Sequence, residues 1–328
     1  MIITLNSTAN PSEVKRALID HGLWVEELVG QGRVQFRVET HSAQIPVEVV
    51  QALPGVELVT VRASTHPRVD QQAKVVEVGA HKIGVGQPTA YFAGPCSVES
   101  EDHVRRLAGK LRGYGVKFLR GGAFKPRTSP YAFQGHGEPA LKWMKKAAAE
   151  NGMALVTELM GSEERDLVAE FADLIQIGSR NMHNYALLKH VAGAKKPIFL
   201  KRGMAATVEE WLGAGEYLLL HGAPAVVFCE RGIRSFDPST RNLLDLSAVA
   251  ILAGLGQPVV VDPSHAAGRR DLVGPLARAA VAVGAHGVMI ETHDAPGHAL
   301  SDGPQAVLPE QLEQILKGLD ALSAGSKV

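Results

Sequence analysis

The sequence predicts an α/β protein in which a (β/α)8 TIM barrel is preceded by a small ferredoxin-like α+β domain. After residue 90, strand-like apolar runs alternate with helical runs eight times, over a length close to the ~250 residues of a typical barrel. The strand-like runs are apolar at every position, which is typical of parallel strands buried on both faces. A doubly wound open sheet is the structural alternative, but the eightfold count and the absence of a GxGxxG turn disfavour it.

The first 66 residues have a different pattern, with short apolar runs around one tight turn. Asn10 is a helix cap and Pro11 a first-turn proline, so a helix is predicted to begin there. Two alternating runs flank Gly30-Gln31-Gly32 and predict a hairpin. The order strand, helix, strand, strand, helix, strand is typical of a ferredoxin-like domain. The predicted elements lie at residues 1–5, from Pro11 onward, and at 23–29, 34–38, 47–53 and 56–61.

A connecting region follows at residues 67–89. The segment 65–73 is polar, which predicts a linker. Residues 75–85 hold Gly79-Ala80-His81 between two apolar stretches, which predicts a β-hairpin. The expected domains are therefore a ferredoxin-like domain at 1–66, the linker and hairpin at 67–89, and the barrel at 90–328.

Each barrel unit is a strand-like run that is followed in most cases by a helical run. The predicted strands cover residues 90–93, 116–119, 154–157, 174–177, 198–200, 225–228, 259–261 and 288–290. The predicted helices cover residues 103–114, 139–151, 163–171, 185–191, 208–221, 246–254, 272–283 and 309–322.

Composition narrows the classes of function. The 34 Lys and Arg residues equal the 34 Asp and Glu residues, so binding of nucleic acid through bulk charge is disfavoured. Aromatic residues make up 5% of the chain, which is few for stacking on single-stranded nucleic acid. We expect no membrane span, because no apolar run reaches ~18 residues, and no secretory signal. The two cysteines indicate a reducing, cytoplasmic setting.

Basic residues recur where the predicted strands end. In a barrel of this type, the active site is built at the carboxyl ends of the strands, so these side chains are expected to share one mouth. Arginine matches the geometry of phosphate and carboxylate groups, whereas lysine supplies a point charge. Such a cluster predicts a site for more than one anionic group, and ordinary surface ion pairs are the alternative. The residues are Arg120, Lys125, Arg127, Arg180, Lys201, Arg202, Arg231 and Arg234.

A second set of strand-end residues has the chemistry of metal ligands. Units one, seven and eight are neighbours when the barrel closes, and together they supply a thiol, an imidazole and two carboxylates. This mixture suits a borderline divalent ion such as Mn, Fe, Co or Zn. For Cys96 alone, a small buried apolar role is the alternative interpretation. The four residues are Cys96, His265, Glu291 and Asp302.

The chain resembles the 3-deoxy-D-arabino-heptulosonate 7-phosphate (DAHP) synthases, in their short form with an N-terminal ferredoxin-like regulatory domain. The resemblance covers essentially all of residues 90–305, and its motifs are highly specific in combination. They are AGPCSVES (93–100), LRGGAFKPRTSPYAFQG (119–135), QIGSRN (176–181), LKRG (200–203), CERGIR (229–234), VDPSHAAGRRD (261–271) and ETHDAPGHALSDGPQ (291–305).

The resemblance implies an enzyme of the shikimate pathway that joins phosphoenolpyruvate and erythrose 4-phosphate and releases phosphate. It implies one divalent ion (Mn, Fe, Co or Zn) on Cys96, His265, Glu291 and Asp302. It assigns phosphoenolpyruvate to Arg120, Lys125, Ser179 (through its backbone N–H), Arg180, Lys201 and Arg231. It assigns erythrose 4-phosphate to Arg127 and Thr128, with Glu158 and Asp262 as supporting residues.

Three further expectations accompany this assignment. Lys125 is our hypothesis for the proton donor to the aldehyde oxygen, because it is the lone ammonium in the KPRT turn. With Cys96 and His265, it makes up the predicted catalytic group. A homotetramer is expected, with feedback inhibition by tyrosine or phenylalanine bound at the N-terminal domain.

Other functions remain open from the residues. The sister enzyme 3-deoxy-manno-octulosonate 8-phosphate synthase uses arabinose 5-phosphate, but it usually has a KANR-type run where this chain has KPRTSP. A non-catalytic binding barrel is an alternative of another class, which the intact set of four potential metal ligands disfavours. A Schiff-base aldolase that uses Lys201 is a third alternative.

Overall fold

The computed structural model describes residues 1–28, 33–61, 63–125, 129 and 131–325. Contacts between residues divide the chain into two units, Met1–Thr65 and His66–Val328. Arg127 and Thr128, which the sequence predicts to bind one substrate, lie outside the described residues, as does the predicted turn at 30–32.

The first unit is an antiparallel sheet with two helices. Its strands have the order β2-β3-β1-β4, which is the order of a ferredoxin-like fold. The side chain of Asn10 accepts the N–H of Ser12 and begins the first helix, as predicted. Ile3, Leu18 and Phe36 are fully buried and belong to the unit's own core. The elements are β1 (Ile2–Leu5), α1 (Pro11–Asp20), β2 (Val25–Leu28), β3 (Gln35–Val38), α2 (Val47–Gln51) and β4 (Val56–Thr60).

A short helix, α3 (Pro67–Gln71), lies where the sequence predicts a linker. The carboxylate of Glu216 accepts the backbone N–H groups of Arg68 and Val69 at 2.9 and 3.0 Å. Val69 is buried in the core of the second unit. The segment therefore packs as part of that unit, and the signal in its sequence was the proline at the first helical position.

The predicted hairpin closes one end of the barrel. It consists of β5 (Val75–Val78) and β6 (His81–Gly84), which pair antiparallel. Val76, Val78 and Ile83 are buried together with the first residues of three barrel strands, Ala90, Ala154 and Leu174. The amino-terminal end of the barrel is therefore filled, and its interior opens at the opposite end.

The eight predicted barrel strands form one closed parallel barrel, in which the last strand pairs with the first. The predicted TIM barrel is thus confirmed. Every strand residue is buried except Glu158, which is half-buried, as expected for strands that are covered on both faces. The strands are β7 (Ala90–Gly94), β8 (Phe118–Arg120), β9 (Ala154–Leu159), β10 (Leu174–Ile177), β11 (Ile198–Lys201), β12 (Val226–Glu230), β13 (Val259–Val261) and β14 (Gly287–Glu291).

The outer helices include one that the sequence did not predict. This helix, α10, follows β13 directly; Asp262 caps it and Pro263 is its first residue. None of the helices in the described parts of the chain is long and apolar enough to cross a membrane. The helices are α4 (Glu101–Gly113), α5 (Glu138–Glu150), α6 (Arg165–Phe171), α7 (Tyr185–Ala192), α8 (Val208–Leu220), α9 (Leu246–Gly254), α10 (Pro263–Ala267), α11 (Arg270–Ala282) and α12 (Pro309–Gly325).

Candidate active site

A cavity of about 470 Å³ lies at the carboxyl ends of the barrel strands. Most of the predicted site residues line it, although they are far apart in the sequence. Glu291 and Asp262 are fully buried beneath the lining. The predicted residues that line the cavity are Cys96, Arg120, Lys125, Glu158, Ser179, Arg180, Lys201, Arg231, Arg234, His265 and Asp302.

Four of these side chains converge as a possible metal-binding group. The ligand atoms of Cys96, His265, Glu291 and Asp302 all lie within 4.8 Å of one another. His265 Nε2 is 3.2 Å from Glu291 Oε1 and 3.9 Å from Asp302 Oδ2, and Cys96 Sγ is 3.3 Å from Asp302 Oδ2. One sulfur, one nitrogen and two carboxylates form a donor set that fits a borderline divalent ion.

The buried carboxylate of Asp262 orients His265. Oδ2 of Asp262 lies 2.6 Å from His265 Nδ1, and Oδ1 accepts the backbone N–H of His265 at 2.9 Å. With its proton on Nδ1, the imidazole presents the lone pair of Nε2 to Glu291 and Asp302. Burial lowers the pKa of His265 below its usual value, so the ring is neutral near pH 7 and available as a ligand.

The cysteine is held as a thiol in this environment. Burial, followed by the charge of Glu291, raises the pKa of Cys96 to about 11. The neighbouring charges of Lys125 and Arg120 act in the opposite direction but do not prevail. A metal ion bound by this sulfur would therefore displace a proton from it.

The two carboxylates of the group differ in how they are positioned. Arg120, which is 4% exposed, donates to Glu291 Oε1 at 2.9 Å and to the Pro95 carbonyl at 2.8 Å. Asp302 has a φ of 54°, which is uncommon for a residue other than glycine. A non-glycine residue in this conformation, beside three other potential ligands, is typical of a functional position.

Further buried cations line the same cavity. Lys201 and Arg231 are nearly fully buried, and burial lowers the pKa of Arg231. Lys125 is 9% exposed, and Gly122 leaves space for it: a Cβ at position 122 would lie 2.4 Å from Lys125 Cε. Buried cations at this density are strongly disfavoured unless anions balance them, so the cavity has the charge of an anion-binding site.

One predicted cation lies elsewhere. Arg202 follows Lys201 but does not line the cavity; it donates to Glu230 at 2.9 Å and to Asp245 at 2.8 Å. Its guanidinium also lies over the ring of Trp211. Successive residues at a strand end point in opposite directions, so Arg202 belongs to a buried ion-pair network behind the site.

Five lining residues were not predicted from the sequence, namely Gln176, Gly178, Met204, Arg241 and Asn242. Arg241 Nη2 is 3.4 Å from Asp302 Oδ1, and Asn242 Nδ2 donates to the carbonyl of His265 at 3.2 Å. Both residues belong to the long loop after β12, which also hydrogen-bonds to α10 through its backbone. The sequence signal for Arg241 was its basic charge within a loop at the carboxyl end of a strand.

A second group of potential ligands consists of Glu99, His103 and His293. His293 Nδ1 accepts the N–H of Ala295, so its proton is on Nε2, which faces Glu99 Oε2 at 3.4 Å. His103 Nε2 lies 2.9 Å from Asp294 Oδ1. The group is thus two imidazole–carboxylate pairs beside the segment that leads to Asp302.

Comparisons with known proteins are consistent with this geometry. The model of the DAHP synthetase I family matches residues 66–324. The phospho-2-dehydro-3-deoxyheptonate aldolase of Thermotoga maritima is 44% identical over 297 residues, 90% of this chain and 86% of that protein. A 2-dehydro-3-deoxyphosphooctonate aldolase of Stenotrophomonas maltophilia is 34% identical over 265 residues, 75% of this chain and 95% of that protein.

A solved structure is similar over nearly the whole chain. It is the crystal structure of the Thermotoga maritima phospho-2-dehydro-3-deoxyheptonate aldolase (DAHP synthase). The TM-score is 0.76 and the sequences are 40% identical, with 99% of this chain and 97% of that chain covered.

Proposed function

The chain belongs to the DAHP synthetase I family, and we propose that it is a 3-deoxy-7-phosphoheptulonate synthase, a transferase that condenses phosphoenolpyruvate with erythrose 4-phosphate. Water is the third reactant, and DAHP and inorganic phosphate are the products. The observation that carries the proposal is a cavity lined both by a group of cations and by three of the four potential metal ligands, with the fourth, Glu291, buried beneath the lining. A carboxylate and two phosphates require such a group of cations.

Cys96, His265, Glu291 and Asp302 would hold one divalent ion, Mn, Fe, Co or Zn. When bound there, the ion supplies Lewis acidity toward the aldehyde oxygen of erythrose 4-phosphate. Asp262 keeps His265 in the tautomer that this role requires, and Arg120 neutralises part of the charge on Glu291.

The cations bind and orient the substrates. We assign phosphoenolpyruvate to Arg120, Lys125, Arg180, Lys201 and Arg231, together with the backbone N–H of Ser179. Arg127 and Thr128 of the KPRT motif are proposed to hold the phosphate of erythrose 4-phosphate. Much of the rate enhancement is expected from holding two polyanions in contact, which they would not maintain in water.

In the proposed reaction, the enol carbon of phosphoenolpyruvate attacks the aldehyde carbon. Positive charge develops on the carbon that bears the phosphate, and water adds there. The hemiketal phosphate then loses inorganic phosphate by cleavage of its C–O bond. Lys125, whose ammonium lies in the cavity, is proposed to donate a proton to the former aldehyde oxygen. Glu158 and Asp262 are proposed to support the metal and the reacting carbons.

An assay of phosphate release from phosphoenolpyruvate tests the function. The metal-loaded protein is offered erythrose 4-phosphate or arabinose 5-phosphate in parallel. The proposal expects kcat/KM to be at least about a hundredfold higher with erythrose 4-phosphate, a difference of ~2.7 kcal/mol in transition-state binding. A preference for arabinose 5-phosphate would show instead the activity of the octulosonate relatives.

We also propose that the first unit, the ferredoxin-like domain expected at residues 1–66, is regulatory and binds tyrosine or phenylalanine. Its own sheet and core support this assignment, because the described residues that line the catalytic cavity all belong to the second unit. A homotetramer in the cytoplasm is the proposed setting, and the two free cysteines are compatible with it.

A further inference from the structure

One carboxylate oxygen contacts both a proposed metal ligand and a proposed phosphate-binding residue. Asp262 Oδ2 lies 2.6 Å from His265 Nδ1 and 2.5 Å from Lys201 Nζ. Asp262 is fully buried and Lys201 is 4% exposed, so water and salt screen these contacts weakly. Because Oδ1 is engaged by a backbone N–H, Oδ2 serves a proposed metal ligand and a proposed phosphate contact at once.

The two donors compete for the negative charge on that oxygen. If His265 holds a metal ion, its ring would lose electron density, and Nδ1–H would become a stronger donor toward Asp262. A phosphate beside Lys201 attracts the ammonium away from Asp262. Both binding events therefore weaken the contact between Asp262 and Lys201. Each leaves more of the carboxylate charge to His265 and frees the ammonium of Lys201 for the phosphate.

We propose that Asp262 is a positioning residue that couples the metal site to the phosphate site, so that a divalent metal and phosphoenolpyruvate promote each other's binding through one shared oxygen. This inference rests on the proposed function, because it takes His265 as a metal ligand and Lys201 as a phosphate contact. Coupling of this kind is reciprocal: the metal tightens the substrate by the factor by which the substrate tightens the metal.

Direct attraction between ion and substrate produces coupling of the same sign, so the experiment must isolate Asp262. Lys201→Met removes the ammonium and leaves Oδ2 to His265 alone. Without substrate, the affinity for Mn²⁺ is expected to rise about fivefold to tenfold, within the usual range of such couplings. A merely structural role for Lys201 would lower the affinity.

A double-mutant cycle then separates this effect from the direct repulsion between the Lys201 ammonium and the Mn²⁺ ion. Mn²⁺ alone is titrated into the metal-free full chain as wild type, Lys201→Met, Asp262→Asn and the double variant. In the Asp262→Asn background, Lys201→Met is expected to raise Mn²⁺ affinity about twofold or less, because the shared charge is absent. An equal rise in both backgrounds overturns the proposal.

A second measurement needs no substitution at Asp262, so it tests the coupling even if Asp262→Asn does not fold. The Kd of phosphoenolpyruvate is measured with and without Mn²⁺ in the wild type and in Lys201→Met. The factor by which Mn²⁺ tightens binding is expected to fall at least about threefold in the variant. An unchanged factor contradicts the proposal.

Turnover separates this inference from the proposed function. If the wild type condenses both substrates but Lys201→Met raises the Mn²⁺ affinity equally in both backgrounds, the inference alone is contradicted. A protein that shows the coupling but forms no product from phosphoenolpyruvate and erythrose 4-phosphate contradicts the proposed function and leaves the shared oxygen supported.

Discussion

Cys96 shows how the environment of one residue sets the conditions for metal binding. Its pKa is raised to about 11, whereas burial lowers that of His265, and the carboxylates of Glu291 and Asp302 have lowered pKa values. Near neutral pH, three of the four ligands are therefore already deprotonated. The cysteine is the one member of the group that must lose a proton when a metal binds.

Metal affinity is accordingly expected to rise about tenfold for each unit of pH between 7 and 8.5, since one proton is released below the pKa of the thiol. In Cys96→Ser the affinity falls and its dependence on pH becomes nearly flat over the same range. Competition against a chelator of known affinity measures both slopes. A wild-type slope near zero would mean that the sulfur is not a ligand.

Gly122 is a second position where a small change tests the site. An added methyl group would lie 2.8 Å from Lys125 Nζ and 3.0 Å from the Cys96 carbonyl, so Gly122→Ala must displace the ammonium. We expect kcat to fall at least about tenfold, which corresponds to ~1.4 kcal/mol, with little change in thermal stability.

Gly109→Ala is the matched control, because nothing lies within 4 Å of the added atom in α4. Its kcat is expected to equal that of the wild type, and its stability to be the same or slightly higher, since alanine favours helix. Normal turnover in Gly122→Ala would show that the position of Lys125 is not critical.

At the level of single residues, prediction from sequence was good where strand ends determine position. Parallel strands finish at the same rim, so Cys96 and His265 are brought together although 169 positions separate them (265 − 96). Arg202 shows the limit of that argument. Its place next to Lys201 puts it on the opposite face of the strand, where it pairs with Glu230.

Among the elements, the hairpin β5–β6 has the clearest structural task. Its buried side chains fill the end of the barrel opposite the site, and Ile83 is fully buried among them. The hairpin was predicted from Gly79-Ala80-His81 in the middle of the segment 75–85. The helices α3 and α10 were not predicted, because each has only five residues. A carboxylate distant in sequence, that of Glu216, holds α3, whereas the side chain of Asp262 caps α10.

Ile83→Ala is expected to lower the free energy of unfolding of the barrel by roughly 2–5 kcal/mol, because it leaves a cavity between the hairpin and the strands. Ile251→Ala, on the exposed face of α9, is the control with the same chemistry; the side chain is 40% exposed and the loss should stay below ~1 kcal/mol. Chemical denaturation measures both. Equal losses would mean that the hairpin does not seal the barrel.

For the whole molecule, the division into two units carries a prediction about regulation. The barrel unit contains the described lining of the cavity, and the first unit has a separate core. Removal of residues 1–65 is therefore expected to leave kcat within about threefold of the full chain and to abolish inhibition by tyrosine or phenylalanine. Inhibition curves for both proteins measure this, and inhibition that persists in the shortened chain would place the effector site on the barrel.

The fold as a whole was the most predictable feature, since eight continuous apolar runs leave few alternatives to a closed parallel barrel. The contacts with the substrates were less predictable from the sequence. Their assignment came from motifs such as KPRT, and the loop after β12, with Arg241, is placed by hydrogen bonds to α10 that no local pattern reveals.

We propose that a metal held by Cys96, His265, Glu291 and Asp302 is required for the condensation of phosphoenolpyruvate with erythrose 4-phosphate. The most direct test strips the full-length protein with a chelator and follows DAHP formation before and after addition of one equivalent of Mn²⁺. The stripped protein is expected to form no product, and turnover is expected to return when the ion is added. Undiminished product formation by the metal-free protein would contradict this proposal.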